Sequence, residues 1–212
     1  MTGLSRRRLL GMRAAGREVL RCYGALADGR SNLVLDFLRG TGPFETLRPY
    51  PLEGVHDLAS RSGYYYHAHR EGEHGHFHTF VHLPEGATAH LVAVRVDDRG
   101  VARGLFTVNR WVTGERFPPA REVSAMLARF AIDHASPSWL VNRWITAMLR
   151  LFRPQIERLL TERDRALERR ARRHPGVDPL EDRDLEVLSE LSISIDRQVA
   201  AIERALRVQP RT

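Results

Sequence analysis

The chain has 212 residues, of which 42% are hydrophobic, so it can bury a core and is not expected to be disordered. It carries 33 basic and 26 acidic residues, a formal net charge of +7, and every basic residue is an arginine. The arginine cluster late in the chain is interleaved with acidic residues and lacks aromatic side chains for base stacking, so nucleic acid is not the expected partner.

The first predicted element is an amphipathic helix over residues 5–27. Its apolar residues recur at three-and-four spacing, with arginines on the opposite face. Cys22 lies on the apolar stripe, and a single cysteine excludes an internal disulfide and is typical of a reducing compartment. Since no apolar run reaches membrane-spanning length, we expect no transmembrane segment and a cytoplasmic location.

A short second helix is predicted over residues 31–38, and a long irregular connection rich in glycine and proline follows it over residues 40–54. His56 and Asp57 lie at the end of this connection, from which they could approach the next segment. Residues 1–60 are therefore expected to form a helical N-terminal segment and a loop within one domain of residues 1–212.

The most distinctive feature of the sequence is its histidine distribution, since seven of the ten histidines lie between His67 and His90. His67 and His69 are two residues apart, as are His76 and His78, and residues i and i+2 of a strand point to one face. Glycines in the stretch between the two pairs permit a tight connection. The pattern predicts a β-hairpin with both histidine pairs on one face.

The expected register pairs His69 with His76. His67 would then lie opposite His78, and Tyr65 opposite Phe80, so that four imidazoles form one patch. Protonated histidines at this spacing would repel each other, whereas a transition metal would bind their neutral lone pairs. The hypothesis is a zinc or iron site at His67, His69, His76 and His78, with Glu73 as a further ligand or a catalytic base.

Two further strands are predicted over residues 90–96 and 104–112, giving about four antiparallel strands within residues 61–115. Both are apolar on both faces, so the histidine face should also be covered and should border a cavity. Tyr65, Asn109 and Arg110 are candidate substrate contacts there, and the expected partner is an unidentified small molecule. The sequence does not indicate the oligomeric state.

The last part of the chain, residues 116–212, is expected to form a helical layer. Helices are predicted over residues 118–134 and 136–173 with a kink at Pro154, then from residue 178 to about 191 and from Ser194 onward. The predicted fold class is α+β, with an antiparallel sheet, an N-terminal helix and a C-terminal helical layer.

Two resemblances follow from the histidine motifs. His67-Ala68-His69 followed by Glu73 resembles the metal motif of cupins, β-barrels that hold iron, manganese or zinc, and the likeness covers about thirty residues. Tyr-His-x-His followed by Glu-His-Gly-His-Phe-His resembles an uncharacterised bacterial domain family of unknown function. That second resemblance implies a match over most of the chain and no particular activity.

Two functions remain open from the sequence. The first is a metal-dependent hydrolase or oxygenase, which predicts a concave pocket beside the histidines. The second is a non-enzymatic helical adaptor or regulatory protein, in which the histidines form a structural hydrogen-bond network on a filled sheet face.

Overall fold

The computed structural model describes residues 3–69 and 75–209. Within them the sheet consists of β1 (Tyr50–Asp57), β2 (Ser62–His67), β3 (His76–His82), β4 (Thr88–Val96), β5 (Ala102–Val108) and β6 (Val187–Ser192). The helices are α1 (Arg6–Asp28), α2 (Leu33–Phe37), α3 (Arg110–Thr113), α4 (Ala120–Leu127), α5 (Trp139–Leu151), α6 (Arg153–Arg173) and α7 (Ile195–Val208). The α+β class is confirmed.

The sheet is antiparallel throughout, with its six strands in the order β1 to β6. The sequence predicted about four strands, and the two edge strands are the ones it missed. β1 contains Pro51 and Gly54, and Gly54 has a φ of +74° where the pairing with β2 is irregular. Prolines and bulges are tolerated at sheet edges, so residues that suggest a loop here belong to a strand.

The prediction for the segment that forms β6 was wrong for a different reason. Residues 178–191 were expected to be helical, but residues 187–192 pair with β5 instead. Ser189 is buried, and its hydroxyl contacts Thr107 on β5 and donates to the Leu159 carbonyl on α6. The open edge of β5 therefore decides the conformation of this short segment, since tertiary contacts override weak local preferences.

The helical layer packs against one face of the sheet. α1 lies along α5 and α7, while α6 contacts β5 and β6. Trp144 of α5 and Phe77 of β3 are fully buried, with ring centroids 5.3 Å apart. Burying a side chain such as Phe77 stabilises the fold by about 2–3 kcal/mol. No helix of the described residues is long and apolar enough to cross a membrane.

The opposite face of the sheet carries the histidines, and the four-residue helix α3 packs on part of it. Phe106 and Val108 form a small apolar cluster there with Val112 of α3. Asn109 fixes the start of α3, because its Nδ2 donates to the carbonyls of Pro179 and Leu185. The covering segment is thereby tied to the chain that leads into β6.

A β-bulge in β4 changes which residues reach the histidine face. Thr79 pairs with Val92, but its neighbour Phe80 pairs with His90, which leaves Leu91 as an extra residue. Leu91 and Val92 both enter the main core, and His90 falls on the face of Phe80. Bulges redirect side chains in this way, and this one adds a histidine to the cluster.

Candidate metal centre

The hairpin register places His67 directly opposite His76 and Tyr65 opposite His78. The predicted register, with His69 opposite His76, is therefore wrong by two residues, because β2 ends at His67 and the connection is longer than expected. A shift by two residues preserves the faces of a strand. His67, His76 and His78 consequently remain on one side of the sheet, as predicted.

The imidazoles of the two strands converge closely. The Nε2 atom of His67 lies 2.8 Å from Nε2 of His76 and 3.2 Å from Nε2 of His78. The His69 ring centroid is 4.9 Å from that of His67 and 5.1 Å from that of His76. His67, His69 and His76 each offer a ligand atom, and these three atoms lie within 4.8 Å of one another. Three of the four predicted ligands thus form a mutually close group.

Hydrogen bonding satisfies these contacts only in part. A neutral imidazole carries one N–H and one lone pair on its two nitrogens, so Nε2 is either a donor or an acceptor. The Nε2 atom of His67 has two ring nitrogens at hydrogen-bonding distance and can complete a good bond with only one of them. One of the two contacts of His67 Nε2 is therefore without a well-formed hydrogen bond, whichever tautomer His67 adopts.

The cluster is held neutral by its surroundings. Burial, followed by repulsion from His69, lowers the pKa of His67 to about 4. Burial and the neighbouring histidines lower the pKa of His76 to about 2, and the pKa of His78 lies well below its ordinary value for the same reasons. At neutral pH these rings therefore keep their lone pairs, which is the form that binds transition metals.

His90 extends the cluster into the protein. Its Nε2 lies 3.0 Å from Nδ1 of His78, and both rings are buried. Burial lowers the pKa of His90 to about 3. From the sequence His90 is only a weaker candidate, because it was expected near the end of the sheet, and the bulge in β4 is what brings it onto the histidine face.

A carboxylate borders the exposed side of the cluster. Nδ1 of His69 lies 3.7 Å from Oε1 of Glu186, just before β6. Acidic partners of this kind orient the imidazole ligands of metals. The predicted carboxylate, Glu73, lies outside the described residues.

Beside the histidines lies a cavity of about 400 Å³. Tyr65 and His67 line one part of it, together with Phe80. His56 and His82 line another part, with 3.0 Å between Nδ1 of His56 and Nε2 of His82. The structure therefore brings the candidate substrate contact Tyr65 into the same cavity as a candidate metal ligand.

Asn109 and Arg110 are not among the residues that line this cavity. Asn109 is fully buried, and its amide bonds the Pro179 and Leu185 carbonyls. Arg110 forms ion pairs with Asp178 and Glu181. Both side chains join the α3 segment to the region before β6, and the structure does not place either one in the candidate site.

Glu115 is a cavity residue that the sequence did not indicate. The backbone N–H of Arg116 donates to the Thr88 carbonyl, which holds the segment after α3 against the start of β4. Glu115 is half-buried, and burial raises its pKa to about 7. Since Glu115 is distant in sequence from the hairpin and matches no motif, only the fold reveals its position.

No curated protein and no solved structure shows significant similarity to this chain. The expectation of an uncharacterised domain family is confirmed, because a family model described as a domain of unknown function, DUF6969, matches residues 13–193. This match covers most of the chain, and the protein therefore belongs to the DUF6969 family.

Proposed function

We propose that the protein binds a transition metal ion through His67, His69 and His76, with His78 as a fourth nitrogen donor. The observation that carries this proposal is the approach of two ring nitrogens to Nε2 of His67, at 2.8 and 3.2 Å, within a cluster kept neutral by burial. Nitrogen ligands about 2.0–2.1 Å from a tetrahedral zinc ion lie about 3.4 Å from one another. The distance of 3.2 Å between His67 and His78 is close to that value, whereas the distance of 2.8 Å between His67 and His76 is shorter and would have to widen when an ion binds.

The donor set favours zinc or iron over magnesium or calcium. Imidazole suits zinc, iron, copper and nickel, whereas magnesium and calcium prefer oxygen ligands. The close group consists of imidazole nitrogens, with the Glu186 carboxylate next to His69. Zinc and iron are therefore the metals to test first.

The adjoining cavity supports hydrolytic or oxidative chemistry on a small molecule. His67 belongs both to the histidine group and to the cavity lining. A ligand in the cavity would therefore lie beside the bound ion, which would supply Lewis acidity or redox chemistry. Tyr65 and Phe80 would orient the ligand, since their stacked rings, 5.3 Å apart, form an adjacent wall.

The decisive experiment is elemental analysis of the purified full chain after loading with zinc or ferrous iron and extensive dialysis. We expect about one metal ion per chain in the wild type and a large loss in a His67→Ala/His76→Ala double variant. His174→Ala is the matched control, since His174 is exposed and lies beyond α6. Equal metal content in the wild type and the double variant would refute the proposed site.

A structural histidine network remains the second candidate function. The observation that favours it is the buried contact between His78 and His90, which a single proton can satisfy without a metal. This alternative predicts that the double variant loses stability but that the wild type holds no stoichiometric metal. The same elemental analysis therefore separates the two candidates.

A further inference from the structure

The cavity beside the histidines has an unusual charge composition for this protein. The chain contains 33 basic residues, all arginines, yet no arginine within residues 3–69 and 75–209 lines the cavity. The acidic residues in the lining are Glu53 and Glu115, and much of the remaining wall is apolar. The apolar part is formed by Leu47, Leu52, Phe80 and Val112, with the ring of Tyr65.

Glu115 is fixed at this wall by the backbone around it. Gly114 ends α3 in the left-handed conformation, with a φ of +72°, and its N–H donates to the Arg110 carbonyl. Arg116 is bonded to Thr88 on the other side, with 3.0 Å between the Arg116 nitrogen and the Thr88 carbonyl oxygen. Among residues 3–69 and 75–209, Glu115 takes part in no ion pair. Its carboxyl is thus held at the cavity without a cationic partner from these residues.

This composition discriminates between ligands by charge. An anionic ligand would lose hydration on entry, meet no guanidinium from the described part of the lining and face two acidic side chains. A ligand with an ammonium or hydroxyl group would instead donate a hydrogen bond to Glu115. Selection by an unfavourable charge is a common source of specificity in binding sites.

We propose that the cavity binds a small organic molecule that combines an apolar body with a cationic or neutral hydrogen-bond donor, and that Glu115 accepts that donor. The volume of about 400 Å³ suits a molecule with one ring and a short side chain. The proposal deepens the proposed function, because the metal site at His67 would meet another part of the same ligand.

Three probes of similar size test this inference: benzylamine, benzyl alcohol and benzoate. Each is titrated into the metal-free full chain at about pH 8, where Glu115 with its pKa of about 7 is mostly ionised, and binding is followed by calorimetry or by amide chemical shifts. We expect benzylamine to bind at least about tenfold more tightly than benzoate, with benzyl alcohol between them. Glu115→Gln should remove most of the benzylamine preference, while the affinity for benzyl alcohol changes little.

Glu122→Gln is the matched control, since Glu122 is exposed on α4 and does not line this cavity. Benzoate binding as tightly as benzylamine, a benzylamine preference unchanged in Glu115→Gln, or no binding of any probe would each overturn the inference. Because the titrations use metal-free protein, their outcome is independent of the metal analysis. Zinc binding without the charge preference would leave the proposed function standing, and the charge preference without zinc binding would leave this inference standing.

Discussion

His67 on β2 and His76 on β3 lie directly opposite each other, and their Nε2 atoms are 2.8 Å apart. The hairpin itself therefore creates the candidate metal site, because cross-strand pairing alone brings the two imidazole rings together. His69 continues along the chain from His67, and Glu186 approaches it from the segment before β6. A bound ion would therefore connect β2, β3 and this segment through side chains that the fold already brings together.

The first prediction concerns thermal stability. A ligand that binds only the folded state stabilises it by about 2.7 kcal/mol at a hundredfold excess over its dissociation constant. For a chain of this size that corresponds to a rise in Tm of roughly 5–10 °C. We expect zinc to produce such a rise in the wild type and in His174→Ala, as measured by differential scanning calorimetry. The His67→Ala/His76→Ala variant should show little change, and a similar rise in that variant would place the zinc elsewhere.

The sequence predicted the hairpin and its histidine face because alternation along a strand is a local property. His67 and His76 share a face in any register that differs by an even number of residues. The register itself depends on where β2 ends, and two glycines in the connection do not determine that position. The correct face and the incorrect register thus have different origins, since the face follows from local spacing and the register from tertiary contacts.

His90 and Glu115 could not be predicted, for related reasons. His90 reaches the cluster only because a bulge at Leu91 reverses the alternation of β4, and no turn residue marks the bulge. Glu115 reaches the cavity because its segment lies along the start of β4, through contacts between distant parts of the chain. Asn109 is the opposite case, a residue predicted to lie in the site that the fold places elsewhere. Its polar side chain was expected to contact substrate but instead donates to backbone carbonyls.

The second prediction is a pH dependence of stability in the metal-free protein. Burial lowers the pKa of His76 to about 2 and that of His90 to about 3, whereas an unfolded histidine titrates near about 6.5. Between these values the unfolded chain binds protons that the folded chain does not, so stability rises with pH in this window and falls as pH is lowered. At a pH one unit below about 6.5, each such histidine should lower the free energy of unfolding by about 1 kcal/mol.

Urea unfolding in the presence of a chelator measures this dependence. We expect the free energy of unfolding to decrease from about pH 7 to about pH 5, and the slope to be shallower in His90→Gln. His174→Gln should keep the wild-type slope, since His174 is exposed. A slope unaffected by the His90 substitution would show that the cluster does not exclude protons as described.

The third prediction tests how closely β2 and β3 must approach. A Cβ atom at Gly75 would overlap the His67 carbonyl oxygen and the Tyr66 ring. Gly75→Ala should therefore separate the strands next to His76, lower stability by about 1–3 kcal/mol and reduce zinc content. Gly24→Ala is the control, since no atom lies within 4 Å of a Cβ there and alanine is favoured within a helix. Full zinc content in Gly75→Ala would mean that the site tolerates a wider hairpin.

The fourth prediction distinguishes a structural role of Asn109 from a substrate contact. Its Nδ2 donates to the carbonyls of Pro179 at 2.8 Å and Leu185 at 2.9 Å, and its Oδ1 accepts from the Arg110 N–H at 2.8 Å. Asn109→Ala leaves these buried groups without partners and should cost about 2–3 kcal/mol in urea unfolding. Arg110→Ala should cost less than about 1 kcal/mol, because its ion pairs with Asp178 and Glu181 are largely exposed to solvent. Benzylamine affinity and zinc content per folded chain should stay at wild-type values in both variants. A loss of benzylamine affinity in an Asn109→Ala protein of unchanged stability would instead show that Asn109 contacts the ligand.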